Sequence, residues 1–276
     1  MATVIGAFGV QRPGPDMLSG TPRTHAIDRW IFVFMAAWFI AIVLAGFIPD
    51  SLMKIEMVRT GQRPPFPLLL HMHAVLMGAF LLLLLTQTWL MATGRRGPHM
   101  QLGIAGLVGA VAIVIVGFVL IPTMYHQLWY AALAAVTPEA KANTQMGLRI
   151  RDYITLLQIR IGLLFPLFLA IGLKARGTDA GLHKRMMILA TAMPLPAGID
   201  RIPWLPHTMP GSPWSVDLYT LAAISPMFVW DLVRNGRVHR AYWIFIAAYL
   251  PCAIAVHALW GSEWWRSVVP QMMGVG

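Results

Sequence analysis

Two histidines, His71 and His73, stand in Leu70-His71-Met72-His73-Ala74 at the head of an apolar run that continues through Phe80 to Leu90. Imidazole is costly in hydrocarbon, so a histidine there calls for a partner, a metal or a water-filled cavity. Depth along a helix can be counted at about 1.5 Å per residue from the basic turns that close the apolar runs. On that count His73 lies about 31 Å from Gly94, His257 about 27 Å from His239, and Arg160 about 22 Å from Ala175. Asp200 and Arg201 lie about 26–27 Å from His183. Four apolar segments thus bring ionisable groups to the outer third of a roughly 30 Å core. His71, His126 and His207 sit just above this layer.

Imidazoles on neighbouring helices are a standard way for a helical bundle to hold haem iron or a transition metal. His73 and His257 are therefore the leading ligands for haem b or a metal, with His71 and His126 in reserve. His71 and His73 project about 200° apart on an ideal helix, so they do not both face one site. His73 is preferred because it lies deeper and shares a face with Met77 and Phe80. Arg160, Asp200 and Arg201 are the candidate catalytic residues, tuning charge or guiding protons. The structural alternative is an Arg160–Asp200 ion pair that pins kinked helices. Asp200 reads as the only carboxylate well inside an apolar segment, which excludes a carboxylate-bridged di-metal site.

The elements that position these groups follow from composition. Of 276 residues, 58% are hydrophobic and 12% charged, against about 25% charged in soluble domains. Several apolar segments exceed the roughly 18 residues that span a bilayer. The fold class is all-α, a polytopic transmembrane bundle of about seven spans. They run over 30–48, 67–92, 101–121, 153–173, 183–202, 216–233 and 241–260. Residues 1–29 form an N-terminal arm, 30–266 a single transmembrane domain and 267–276 a C-terminal tail. Pro122 closes the third span, and a polar stretch to Arg151 holds a short helix after Thr137-Pro138-Glu139. Pro194 and Pro196 kink or break the fifth span. The arm lacks the apolar core of a cleavable signal, so the first span reads as a signal anchor. The single cysteine, Cys252, excludes an intrachain disulfide and a thiolate cluster.

The net charge of +10 sits in short loops between apolar runs, which points to a membrane surface and not to nucleic acid. Arg95 and Arg96, then Lys174, Arg176, Lys184 and Arg185, then Arg234, Arg237 and Arg240 mark three such loops. They place those loops and the N-terminus in the cytoplasm, the protein being multi-pass in a bacterial inner membrane. Lys54, Arg59, Arg63, Lys141, Arg149 and Arg151 lie on the opposite side. Each basic turn joins a span, a glycine, a histidine and the next span, which predicts three related helical hairpins after a first helix. The three histidines, His99, His183 and His239, read as polar caps at the interface, with a ligand ring or proton-transfer layer as the functional alternative.

No phosphate-binding glycine loop, nucleophile elbow or His-Glu-x-x-His motif is present. The segment from Leu70 to Ala74, with Gln87, Gly94-Arg95-Arg96 and His99, resembles a group of bacterial multi-helix membrane proteins with no settled activity. Leu182-His183-Lys184-Arg185-Met186-Met187, with Ala190-Thr191 and Asp200-Arg201, is similar to the same group. The match spans about half the chain and implies a membrane fold. A more distant similarity, to haem-b membrane bundle reductases, implies histidine ligands, although paired histidines at both ends of the same helices are missing. The expected function is electron transfer through haem b or a transition metal, with quinol as a partner. Two alternatives stand beside it. One is a non-enzymatic accessory or assembly subunit of a larger respiratory or photosynthetic membrane complex. The other is a small-molecule or proton transporter, for which two related halves rather than three hairpins are expected.

Overall fold

A computed structural model describes residues 16–19 and 25–275, and the regular structure of the described residues is all helical, with no strands. The helices are α1 (Ala26–Arg59), α2 (Leu68–Ala92), α3 (Arg96–Ala134), α4 (Pro138–Ala175), α5 (Ala180–Ala192), α6 (Pro196–Ile199), α7 (Trp214–Asn235), α8 (Arg240–Leu259) and α9 (Glu263–Met272). Among the described residues, six helices are long and apolar enough to cross a membrane: α1, α2, α3, α4, α7 and α8. The end carrying the α2–α3, α4–α5 and α7–α8 connections is called the turn end, and the opposite one the far end.

Turn chemistry builds the turn end. Gly94 and Gly236 adopt φ of 77° and 64°, the left-handed region that glycine enters without a Cβ penalty. Asp179 caps α5 by accepting from the Leu182 amide at 2.7 Å. α2 packs along α3 and α4 along α5, whereas α7 and α8 pack on α5 and on α1 or α4. Side chains join α7 to α8, including the edge-on Phe228–Tyr242 ring pair at 4.9 Å.

The far end departs from expectation. Pro122 does not close the third span; α3 runs through it to Ala134, and α4 starts at once behind the Thr137 cap and Pro138. One proline removes one backbone bond, and neighbouring helices compensate. With 39 and 38 residues, α3 and α4 are about 57–58 Å long, roughly twice a bilayer core. Their far halves pack as an antiparallel pair covered by α9, whose Trp265 donates to the Asp152 carbonyl at 2.9 Å. The stretch read as a C-terminal tail thus carries buried Val269.

In the fifth segment, α5 ends at Ala192 because Pro194 and Pro196 lack the amides that would continue it. The backbone at Met193 and Leu195 stays right-handed helical. α6 then presses on α1. A Cβ on Gly46 would meet the Gly198 carbonyl oxygen at 1.9 Å, so glycine alone permits this approach. The core runs between α1, α4, α5, α7 and α8 through Met35, Phe39, Phe168, Met186, Leu189 and Met227, all fully buried.

Candidate functional site

At the far end the structure joins two of the expected residues through a third. Asp217, in the first turn of α7, accepts from Arg160 Nη1 of α4 at 2.5 Å and from Tyr249 OH of α8 at 2.6 Å. Its other oxygen lies 2.8 Å from His257 Nε2; a carboxylate only accepts, so Nε2 carries the proton. Arg160 is 4% exposed and His257 25%, so the network is closed on the arginine side and open on the histidine side. The expected Arg160–Asp200 pair is not formed: Asp217 takes the guanidinium. Asp200 is only half-buried, whereas Asp28, Asp152, Asp217 and Asp231 are buried.

Asp200 and Arg201 belong to a separate cluster. Arg201 donates to Asp50 at 3.2 Å and to the Ala197 carbonyl, and Lys54 meets the same Asp50 at 2.7 Å. Asp200 lies 4.0 Å from His207, with a buried Oδ1 that has no hydrogen-bond partner. His73 is half-buried and its Nδ1 is also without a partner. His71 is exposed and stands edge-on to Phe66 at 6.4 Å. His126 donates from Nε2 to the Met273 carbonyl at 2.5 Å, tying α3 to the segment after α9. Among the described residues no group of three or more His, Cys, Asp or Glu side chains converges as a metal site.

The turn end holds what depth counting did not single out. His99 of α3 and His183 of α5 stand edge to face, with ring centroids 6.5 Å apart. His183 Nδ1 lies 2.8 Å from the Gly172 carbonyl; a carbonyl only accepts, so Nδ1 bears the proton and the Nε2 lone pair is left open. His99 Nδ1 is buried without a partner. Of the three histidines read as interfacial caps, only His239 caps a helix, accepting from the Ala241 amide at 3.1 Å. The shared signal was their equivalent sequence position; the pairing arises because α3 and α5 both pack on α4.

Beside this pair lies a closed ion network. Arg185, fully buried, binds Asp231 through Nε at 2.5 Å and Nη2 at 2.8 Å. Its Nη1 and Nη2 reach Asp16 of the arm at 2.8 and 2.9 Å. Lys184 donates to the Leu18 carbonyl at 3.1 Å. Asp28 takes Arg234 in a two-bond fork at 2.9 and 3.0 Å, together with the Trp230 indole at 3.0 Å. Burial pulls the Asp16 carboxyl up, but the Arg185 guanidinium, aided by Ser19 and the Leu18 amide, holds it well below the usual carboxylate range. Burial pushes the His239 imidazole down, and Arg185 adds to this against the pull of Asp16, Asp231 and Asp179.

No family model, no curated protein and no solved structure matches the chain.

Proposed function

We propose that the chain is a bacterial inner-membrane redox protein in which His99 and His183 hold haem b iron or another redox metal near the turn end. The observation that carries this reading is the ring-to-ring placement of the two imidazoles, 6.5 Å between centroids. Two imidazoles brought together from separate helices are a ligand set that would hold haem iron or a transition metal. The bond from His183 Nδ1 to Gly172 is the outer-shell contact that fixes a ligating histidine's tautomer and orientation. His73 and His257 fit less well, because His257 Nε2 is committed to Asp217.

When bound, the metal supplies one-electron transfer. The chain holds and orients the imidazoles and surrounds them with positive charge. Arg96 and Lys184 act on His99, and Lys184 and Arg176 on His183. That field suits a group with anionic substituents better than a bare dication. On this reading α5 and α6 together make a seventh crossing, and the three basic turns face the cytoplasm with the arm. A quinol or a partner subunit in the membrane supplies the electron.

The test is an optical spectrum of the purified protein, oxidised and dithionite-reduced, with a metal assay. A Soret band or about one bound metal per chain is expected, lost in both His99→Ala and His183→Ala and kept in His73→Ala. A protein without either signal overturns the redox reading and favours the accessory-subunit role. A second reading, proton transfer at the far end, is favoured by the three donors that converge on Asp217. Proton uptake by vesicles holding the protein, abolished in Asp217→Asn, is its test.

A further inference from the structure

We infer that Lys54, Arg63, Arg151 and Arg201 form an anion site at the far end that takes a phosphate group. The four cations come from four separate elements: the end of α1, the loop before α2, the first half of α4 and the turn after α6. Asp50 anchors two of them, Lys54 at 2.7 Å and Arg201 at 3.2 Å. Arg63 is held by its guanidinium stacking over Phe66 at 4.2 Å, and the amide of Arg63 is fixed by the Met57 carbonyl at 3.2 Å.

Arg151 is the member that points to a ligand. Its Nε is shut off from solvent and has no hydrogen-bond partner among the described residues. The charges that act on it are those of Arg201 and Arg63, and Lys54 also senses Arg201 and Arg63. The carboxylates of the cluster are Asp50 and Asp200, so four cations stand against two anions. Gathering like charges at a membrane rim is unfavourable unless an anion joins them. Guanidinium forks match the paired oxygens of a phosphate. Three of the four, Lys54, Arg63 and Arg151, are also among the cations that break the loop-charge pattern of the sequence. Their convergence gives them a common purpose.

The flanking surface says where such a phosphate comes from. Leu52, Met53 and Ile55, on either side of Lys54, are exposed large apolar residues. They offer acyl chains a surface beside the cations, which favours an anionic phospholipid headgroup over free phosphate. The site is independent of the imidazole pair, which lies at the opposite end.

The experiment uses the full chain in detergent and native mass spectrometry with three probes: phosphatidylglycerol, phosphatidylcholine and inorganic phosphate. Phosphatidylglycerol is expected to bind at least about tenfold tighter than phosphatidylcholine. Arg151→Gln should weaken it by about the same factor, while Arg95→Gln, a cation of the turn end, leaves it unchanged. Binding of inorganic phosphate with the same Arg151 dependence supports the site and reassigns its source to a soluble phosphate. No preference for either anion over phosphatidylcholine, or an equal loss in Arg95→Gln, overturns the inference. If Arg151→Gln does not fold, Arg201→Gln is read by the same criteria.

Discussion

The two ends of this bundle treat buried charge in opposite ways. At the turn end every bond of the Arg185 network has an answer: Asp231 on one side, Asp16 on the other, Asn235 donating to Asp231 at 2.5 Å. At the far end one carboxylate, Asp217, collects three donors, while Arg151 Nε, Asp200 Oδ1 and His73 Nδ1 are left without partners. Buried polar groups are almost always satisfied, so the exceptions ask for an explanation that satisfied groups do not. The closed network is architecture, joining the arm, α5 and α7. The open one, like His99 Nδ1 beside the closed network, is where ligands and protons have something to meet.

The sharpest way to break this contrast is at its most closed point. Arg185→Met leaves the buried Asp231 and the half-buried Asp16 without this counter-charge and is expected to cost about 3–5 kcal/mol, read as a loss of thermal stability in detergent. A variant as stable as the parent would remove the distinction between the ends. Next, Asp217→Asn keeps the shape but weakens charge-assisted bonds to Arg160, at an expected cost of about 1.5–3 kcal/mol. The same melting experiment measures it, and a cost equal to that of Arg185→Met would make the far end just as architectural.

The smallest effect is a pH dependence. The Asp16 carboxyl is held below its ordinary value when folded, so the unfolded chain takes up its proton first as pH falls. The stabilisation it gives is full above about pH 4 and is lost progressively below that. His239, also held down when folded, takes its proton first in the unfolded chain and adds a loss that begins below about pH 6.5. Both act in the same direction, so acid loosens the turn end. Asp16→Asn should flatten the melting curve below pH 4, and His239→Gln should flatten it between about pH 6.5 and 5. A profile unchanged in both variants would show that the arm does not latch the bundle.

Much of the architecture was legible from the residues, and the misses have physical reasons. Apolar runs too long for a soluble core announced about seven crossings; six are helices long and apolar enough among the described residues, and the fifth expected span is broken at Pro194 and Pro196. Thr137-Pro138-Glu139 announced a helix start, because a threonine cap and a first-turn proline serve that position alone. The length of that helix was not legible, since residues 139–152 are too polar to read as part of a span; α3 was cut short because Pro122 looks like a stop, and membrane helices absorb prolines. Depth counting placed Arg160 and His257 in one layer correctly but passed over Asp217. Counted from Asn235, Asp217 lies about 27 Å up its helix, the same depth as His257; as the second residue of the span read over 216–233 it does not stand well inside an apolar segment. Arg185 was counted with the loop charges that set orientation, although it is fully buried. Charge counting has no view of Asp231 a helix away. The facing of His99 and His183 depends on which helices are neighbours, and no spacing within one segment encodes that.

The paired extension of α3 and α4 has a mechanical consequence. Two helices of nearly equal length, bonded to each other and braced by His126 and Trp265, behave as a stiff rod standing on the membrane. With about 27 Å of helix beyond the core, a tilt of about 5° inside the bilayer moves its tip by about 2 Å. A change in packing too small to open a gap between helices is thereby displayed at a distance, as a lever displays the motion of its short arm.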